Sequence, residues 1–276
     1  MNKITLLLDG TRASESLLDC VGQSFGADDT TLVGIVPQSS SPMDILRTIA
    51  QTKAEHGKYA WYDQLRRIYA HNQDNDPVFI ERFLDKCQQL QLRTRILYND
   101  DADSNNLLRE TVFSDLLVLS ARMFVPDSKL AAPPRQQLQL LRGAGCPILV
   151  VPEKYEPIEN YLLVYEGSTA CMRTIKQFSA QLSEQARKSR ITLAIVGDVR
   201  KGEEEADKLF LEYAHIHFPK LGILRLEEKA EEEIIYNARE DDGALLVVGN
   251  DTFTLANLLV HNAKIRRFEF PVFIGR

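Results

Sequence analysis

A chain of 276 residues, 44% apolar and 26% charged, has material for two modest cores and reads as a globular protein. Its net charge of −6 and isoelectric point near 5.5 argue against nucleic acid, which calls for a basic patch or stripe. No stretch approaches the ~20 apolar residues of a membrane helix, and the first residues carry no signal-peptide or anchor pattern. The expected address is cytoplasmic, with no membrane partner.

The first element is "ITLLLDGTRASESLL", residues 4–18, an apolar run that stops at Asp9 and Gly10 before a helical pattern. That is the layout of a strand entering a ligand-binding turn in an open α/β sheet. The strand is predicted over 3–8, and Thr11 is the natural N-cap of the helix that follows. "GQSFG", 22–26, fits the spacing of a nucleophile elbow, which needs a strand before it and a helix after it. Ser24 has the reverse order, so it is not read as catalytic, and Gly22 and Gly26 are read as helix-ending residues.

Further strands are predicted at 30–36, 93–98, 115–120 and 147–151, as short apolar runs suited to burial on both faces. Phe79, Phe83, Leu84, Cys87 and Leu90 recur at helical spacing before the third. An insert of about 37–75 precedes them. Ser41, Pro42 and Asp44 mark a helix start there, with Ile45, Leu46 and Ile49 on one apolar face. Trp61, Leu65 and Ile68 give a second helix an apolar side. The mix of aromatics and arginines in "WYDQLRRIYA" could mark a single-stranded nucleic-acid platform, but the acidic charge opposes it. The insert is instead a candidate protein contact.

The linker "PEKYEPIEN", 152–160, leads to strands predicted at 161–165, 191–197, 221–226, 244–249 and 271–275. Ser168 caps the first helix of this part, and Leu209, Tyr213 and Ile216 are expected to face the core from a later one. The acidic runs at 202–208 and 227–235 suit helix starts. His215 and His217, two apart, do not share a helix face and are read as a helix end leading to Pro219. Cys20, Cys87, Cys146 and Cys171 lie far apart and read as buried, reduced thiols. No Walker A, H-E-x-x-H or EF-hand pattern occurs, and neither a catalytic nor a metal-ligating residue is expected.

The elements repeat. "LLLDGTRA" (6–13) lines up with "LVYEGSTA" (163–170), and "TLVGIV" (31–36) with "TLAIVG" (192–197). "SDLLVLSA" (114–121) matches "GALLVVGN" (243–250), and "CPILVVP" (146–152) matches "FPVFIGR" (270–276). Four matches in one order indicate two copies of a unit, expected at 1–153 and 158–276.

The strand–Asp–Gly–hydroxyl–helix opening, "SDLLVLSA" and "LLRGAGCPILVVP" (140–152) together resemble the universal stress protein family. The second half resembles another copy, so the chain resembles a tandem universal stress protein. The resemblance implies an α/β fold: two open, parallel, five-stranded sheets with helices on both faces, of the adenine-nucleotide-binding, Rossmann-like type. The units would pair as an internal pseudo-dimer, with room for further homodimerisation. It places the binding positions at Asp9, Gly10 and Thr11 in the first unit, and at Glu166, Gly167, Ser168, Gly249 and Asn250 in the second. The acid sits on the nucleoside side of the pocket, because a carboxylate accepts from amino and hydroxyl groups but repels phosphate.

The family's ATP pattern is a glycine, two residues, a glycine, nine residues, then glycine and a hydroxyl residue. Here Ser120 and Met123 stand at the first two glycines of the first unit, and Pro133, Pro134 and Arg135 lie beyond. In the second unit Gly249 is kept, but Thr252 and Asn262-Ala263 replace the others. Side chains at those positions hold the backbone away from phosphates, and prolines remove donors. The expected function is a non-enzymatic stress-response or regulatory protein, without a cofactor, acting through a protein partner. The alternative is an adenine-nucleotide binder (ATP, ADP or AMP) with an altered phosphate loop in the second unit; a third reading is a pocket retuned for another small ligand.

Overall fold

The apolar runs become ten strands of one sheet. The computed structural model describes residues 2–8, 13–25, 30–37, 78–99, 104–121, 141, 143–197, 204–226, 230–240, 243–249 and 270–276. The insert expected at 37–75 lies outside them beyond residue 37. The first half comprises β1 (Asn2–Leu7), α1 (Ala13–Phe25), β2 (Thr30–Pro37), α2 (Val78–Gln89), β3 (Arg93–Asn99), α3 (Ser104–Val112), β4 (Leu116–Ser120) and β5 (Ile148–Val151). The second comprises β6 (Asn160–Tyr165), α4 (Thr169–Gln181), the single turn α5 (Glu184–Arg187), β7 (Arg190–Val196), α6 (Glu204–His217), β8 (Leu221–Leu226), α7 (Ala230–Glu240), β9 (Ala244–Gly249) and β10 (Val272–Gly275).

Strand order is β3-β2-β1-β4-β5-β10-β9-β6-β7-β8. Neighbours within each half are parallel, as short βαβ crossovers require. Where two five-stranded sheets were expected, β5 and β10 pair antiparallel and make one continuous sheet, with Val272 opposite Val150 and Ile274 opposite Ile148. Pairing satisfies the backbone groups that each strand would otherwise expose as an edge. It also turns the carboxyl ends of the two halves' strands toward opposite edges of the sheet.

β4, β5, β6, β9 and β10 are buried along their whole length, which explains their largely apolar sequences, broken only by the buried Ser120 and Asn160 at strand ends. Alternation sorts their side chains between two cores. Ile4, Leu6 and Leu8 share one face with Leu17 and Val21 of α1, Phe83 and Cys87 of α2, Ile175 and Phe178 of α4, and Phe210 of α6. Leu7, Val33 and Ile35 share the other with Ile234 and Ala238 of α7, and Leu108 of α3 packs against it. Each fully buried Leu or Phe contributes roughly 1.5–3 kcal/mol.

Two helical expectations are corrected. Gly22 does not end α1, which runs on to Phe25 because Val21, Ser24 and Phe25 are all buried around it. In α6 the core face is Phe210 and Ala214, continued by Phe218 just past the helix, whereas Leu209 and Ile216 are 64% and 70% exposed. Both stripes satisfy helical spacing, and the two phenylalanines bury more area. Among the described residues, no helix is long and apolar enough to cross a membrane.

Candidate functional site at the carboxyl edge of the second half

The apolar run of β6 ends at Tyr165, and three residues turn the chain into α4. Gly167 has φ +81°, a left-handed conformation that favours glycine. Ser168 follows in extended backbone, and its Oγ accepts the N–H of Cys171 at 3.1 Å, the N-cap expected from sequence. The same hydroxyl donates to Glu166 Oε1 at 3.4 Å. The Glu166 carboxylate therefore stands beside the positive end of the α4 dipole, partly open to solvent.

β9 lies beside β6, with Val247 opposite Leu163, and ends at the buried Gly249. β6 is flanked on one side by β7, its successor, and on the other by β9. Strand order thus reverses between β6 and β9, the place where open α/β sheets bind ligands. Gly249 pairs in register with Gly275 of β10. A Cβ on Gly275 would overlap the Thr174 side chain, so α4 rests directly on the β10 backbone. Sequence reading missed Gly275 and Thr174, although a glycine inside the closing apolar strand is the signal for such a close approach.

The structure brings Glu166, Gly167 and Ser168 to the end of β6, next to Gly249 at the end of β9. Asp9, Gly10, Thr11 and Asn250 lie outside the described residues. In the first half, β1 likewise sits between β2 and β4, Leu8 donates its N–H to Ile35 at 2.8 Å, and Ser120 is buried at the end of β4.

No reactive thiol serves this edge. Cys171, in the first turn of α4, is buried, and burial raises its pKa against the lowering effect of hydrogen bonds with the Ser168 hydroxyl and the Glu166 backbone. Burial pushes Cys146 up to about 12, and Cys20 and Cys87 are also raised, chiefly by desolvation. His215 and His217 fall in the last turn of α6, where the His217 ring lies 4.2 Å from that of Tyr213. Among the described residues, no group of three His, Cys, Asp or Glu is placed to hold a metal ion. What the edge offers is a carboxylate acceptor, a left-handed glycine and a first helical turn whose Cys171 N–H is already capped.

The topology and its switch point define an open, Rossmann-like α/β fold. A universal stress protein from Archaeoglobus fulgidus DSM 4304 superposes with a TM-score of 0.63 over 100% of this chain and 96% of its own, at 11% identity. A putative universal stress protein from Pseudomonas aeruginosa UCBPP-PA14 gives 0.53 over 100% and 93%, at 15% identity. The cytoplasmic domain of a prokaryotic cation chloride cotransporter gives 0.51 over 99% and 94%, at 9% identity. At these identities the likeness is one of fold. No protein-family model matches the chain, and no curated protein matches it in sequence.

Proposed function

We propose that this chain is a non-enzymatic, universal stress protein-like stress-response or regulatory protein that acts by binding a partner or ligand. In this reading it consists of two copies of one unit, 1–153 and 158–276, paired as an internal pseudo-dimer. The same strand order on both sides of the β5–β10 seam supports the duplication. So does the position of the four sequence matches, which fall on β1 and β6, β2 and β7, β4 and β9, and β5 and β10.

The observation that carries the reading is the occupied start of α4. A phosphate seeks free N–H groups at a helix N-terminus, but here Ser168 caps Cys171 and the Glu166 carboxylate stands 3.4 Å from the capping oxygen. The sequence offers Thr252 and Asn262 where the ATP pattern has glycines, and Ala263 where it has a hydroxyl residue. A thermal-shift titration with ATP, ADP and AMP tests this, and a melting temperature unmoved by all three is expected.

The second reading, an adenine-nucleotide site with an altered phosphate loop, is favoured by Glu166 and Gly249 ending adjacent strands at the switch point. Asn250 would join them. A nucleotide-induced stabilisation that disappears in Glu166→Ala would establish that reading in place of the first. The stretch 37–75 is proposed as the partner contact; a pulldown with a chain lacking 40–72 tests it, and unchanged partners would refute that role.

A further inference from the structure

Residues 22–25 of the "GQSFG" stretch form the last turn of α1, and three consecutive residues of it touch the second half or the segment leading to it. The Gln23 amide brackets the connecting segment. Its Nε2 donates to the Ile158 carbonyl at 2.8 Å, and its Oε1 accepts the Ile158 N–H at 2.9 Å and the hydroxyl of Tyr155. That closed pair of bonds is what a neighbouring strand would give an extended segment. The Gln23 carbonyl accepts the Ser183 hydroxyl at 3.3 Å, and the Ser24 carbonyl accepts the Ser183 N–H at 2.9 Å. The buried Ser24 Oγ receives Tyr161 OH at 3.4 Å. Phe25 completes an aromatic trio, edge-on to Phe178 at 6.4 Å and stacked on Phe273 at 6.3 Å, with Phe178 and Phe273 5.2 Å apart.

We infer that Gln23, Ser24 and Phe25 are a docking element that locks the two halves into one cooperative unit. The β5–β10 seam is thin by comparison, with two four-residue strands in register at three residue pairs. Ser183 is also where α4 gives way to α5, and its hydroxyl caps α5 by accepting the N–H of Ala186 at 3.1 Å. The last turn of α1 thus grips the corner that ends α4, while the start of α4 carries Ser168 and follows Glu166. Beside the clasp, the Phe25–Phe178–Phe273 trio that joins α1 to α4 and β10 is buried.

Gln23→Glu tests the clasp in the full chain. It keeps the shape but removes the Nε2 donor and sets a carboxylate oxygen against the Ile158 carbonyl. Native-state hydrogen exchange is read at the Ile158 and Ser183 amides, together with the thermal unfolding profile. If the turn acts as a unit, both amides exchange faster together, by roughly tenfold or more, and unfolding splits into two transitions. Acceleration confined to Ile158 with a single transition would overturn the inference. Tyr155→Phe, which removes one hydroxyl, covers the case in which Gln23→Glu fails to fold. It is expected to speed both amides together by about fivefold, and an unchanged Ser183 rate would overturn the inference equally. Lys86→Ala, which breaks the 2.6 Å pair with Asp19 elsewhere on α1, is expected to leave the Ser183 rate unchanged.

Discussion

Replacing Gly243 by alanine removes a backbone freedom that the junction of the halves depends on. Gly243 precedes β9 with φ +79°, and its carbonyl accepts the Glu159 N–H at 2.9 Å, just before β6. A Cβ there would overlap the Pro157 carbonyl oxygen and stand 3.3 Å from its carbon, so the connecting segment must move. A left-handed conformation costs an L-residue about 1–2 kcal/mol. Displacing the segment adds about 1–3 kcal/mol of overpacking, and losing the Glu159 bond about 1 kcal/mol more. The sum is roughly 4 kcal/mol, which for a chain of this size lowers the melting temperature by roughly 10 °C. Differential scanning calorimetry reads it directly. Gly222→Ala is the control, since Gly222 has an ordinary φ and no neighbour nearer than 3.8 Å; it should change stability by less than about 1 kcal/mol. If the two variants melt within roughly 2 °C of each other, a gap of about 1 kcal/mol or less, the account of the junction is wrong.

Other consequences are equally direct. Ser168→Ala should cost about 1 kcal/mol in urea denaturation by uncapping α4, and Ser168→Asn should recover most of it; equal stability of all three would count against the cap. The four buried cysteines should resist a thiol reagent at pH 8 in the native protein and react fully in denaturant, and rapid native labelling would contradict their burial. Alkaline pH should destabilise the fold. The Cys146 thiol is raised from 9.0 to about 12 and the Tyr161 hydroxyl from 10.0 to about 12, both by burial. Their contribution is complete below the unfolded values and is lost as pH rises through this window, at about 1.4 kcal/mol per pH unit for each group. Urea midpoints that stay flat from pH 8 to about 11 would contradict that linkage.

The central strands were legible because burial on both faces leaves little room for polar residues, and the edge strands β3 and β8, which carry Arg93, Arg95 and Arg225, from their short apolar runs. β8 and β9 fall at the predicted 221–226 and 244–249, and the other eight begin and end within a residue of expectation. The Ser168 cap was legible too, since a hydroxyl after an acid and a glycine has few other roles at a strand-to-helix turn. The joining of β5 to β10 was not, because two-sided burial makes every strand look alike and says nothing of its neighbour. Gly22 misled as a helix stop, since the ~1 kcal/mol penalty of a mid-helix glycine is outweighed by the burial of Val21 and Phe25. The exposed Leu209 and Ile216 misled for a related reason: periodicity finds a stripe, and only the sheet beneath decides between two of them. The role of Gln23 was invisible, because its partners Tyr155, Ile158 and Ser183 are more than 130 residues away.

The proposed function turns on the carboxyl end of β6, where the Glu166 carboxylate is proposed to accept from amino or hydroxyl groups and to repel phosphate. Calorimetric titration of the intact chain with adenosine and with ATP, side by side, measures that difference. The proposal predicts that ATP gains nothing over adenosine, because Ser168 already takes the Cys171 N–H and the Glu166 carboxylate beside it repels phosphate. ATP binding tenfold or more tighter than adenosine, about 1.4 kcal/mol, would contradict it.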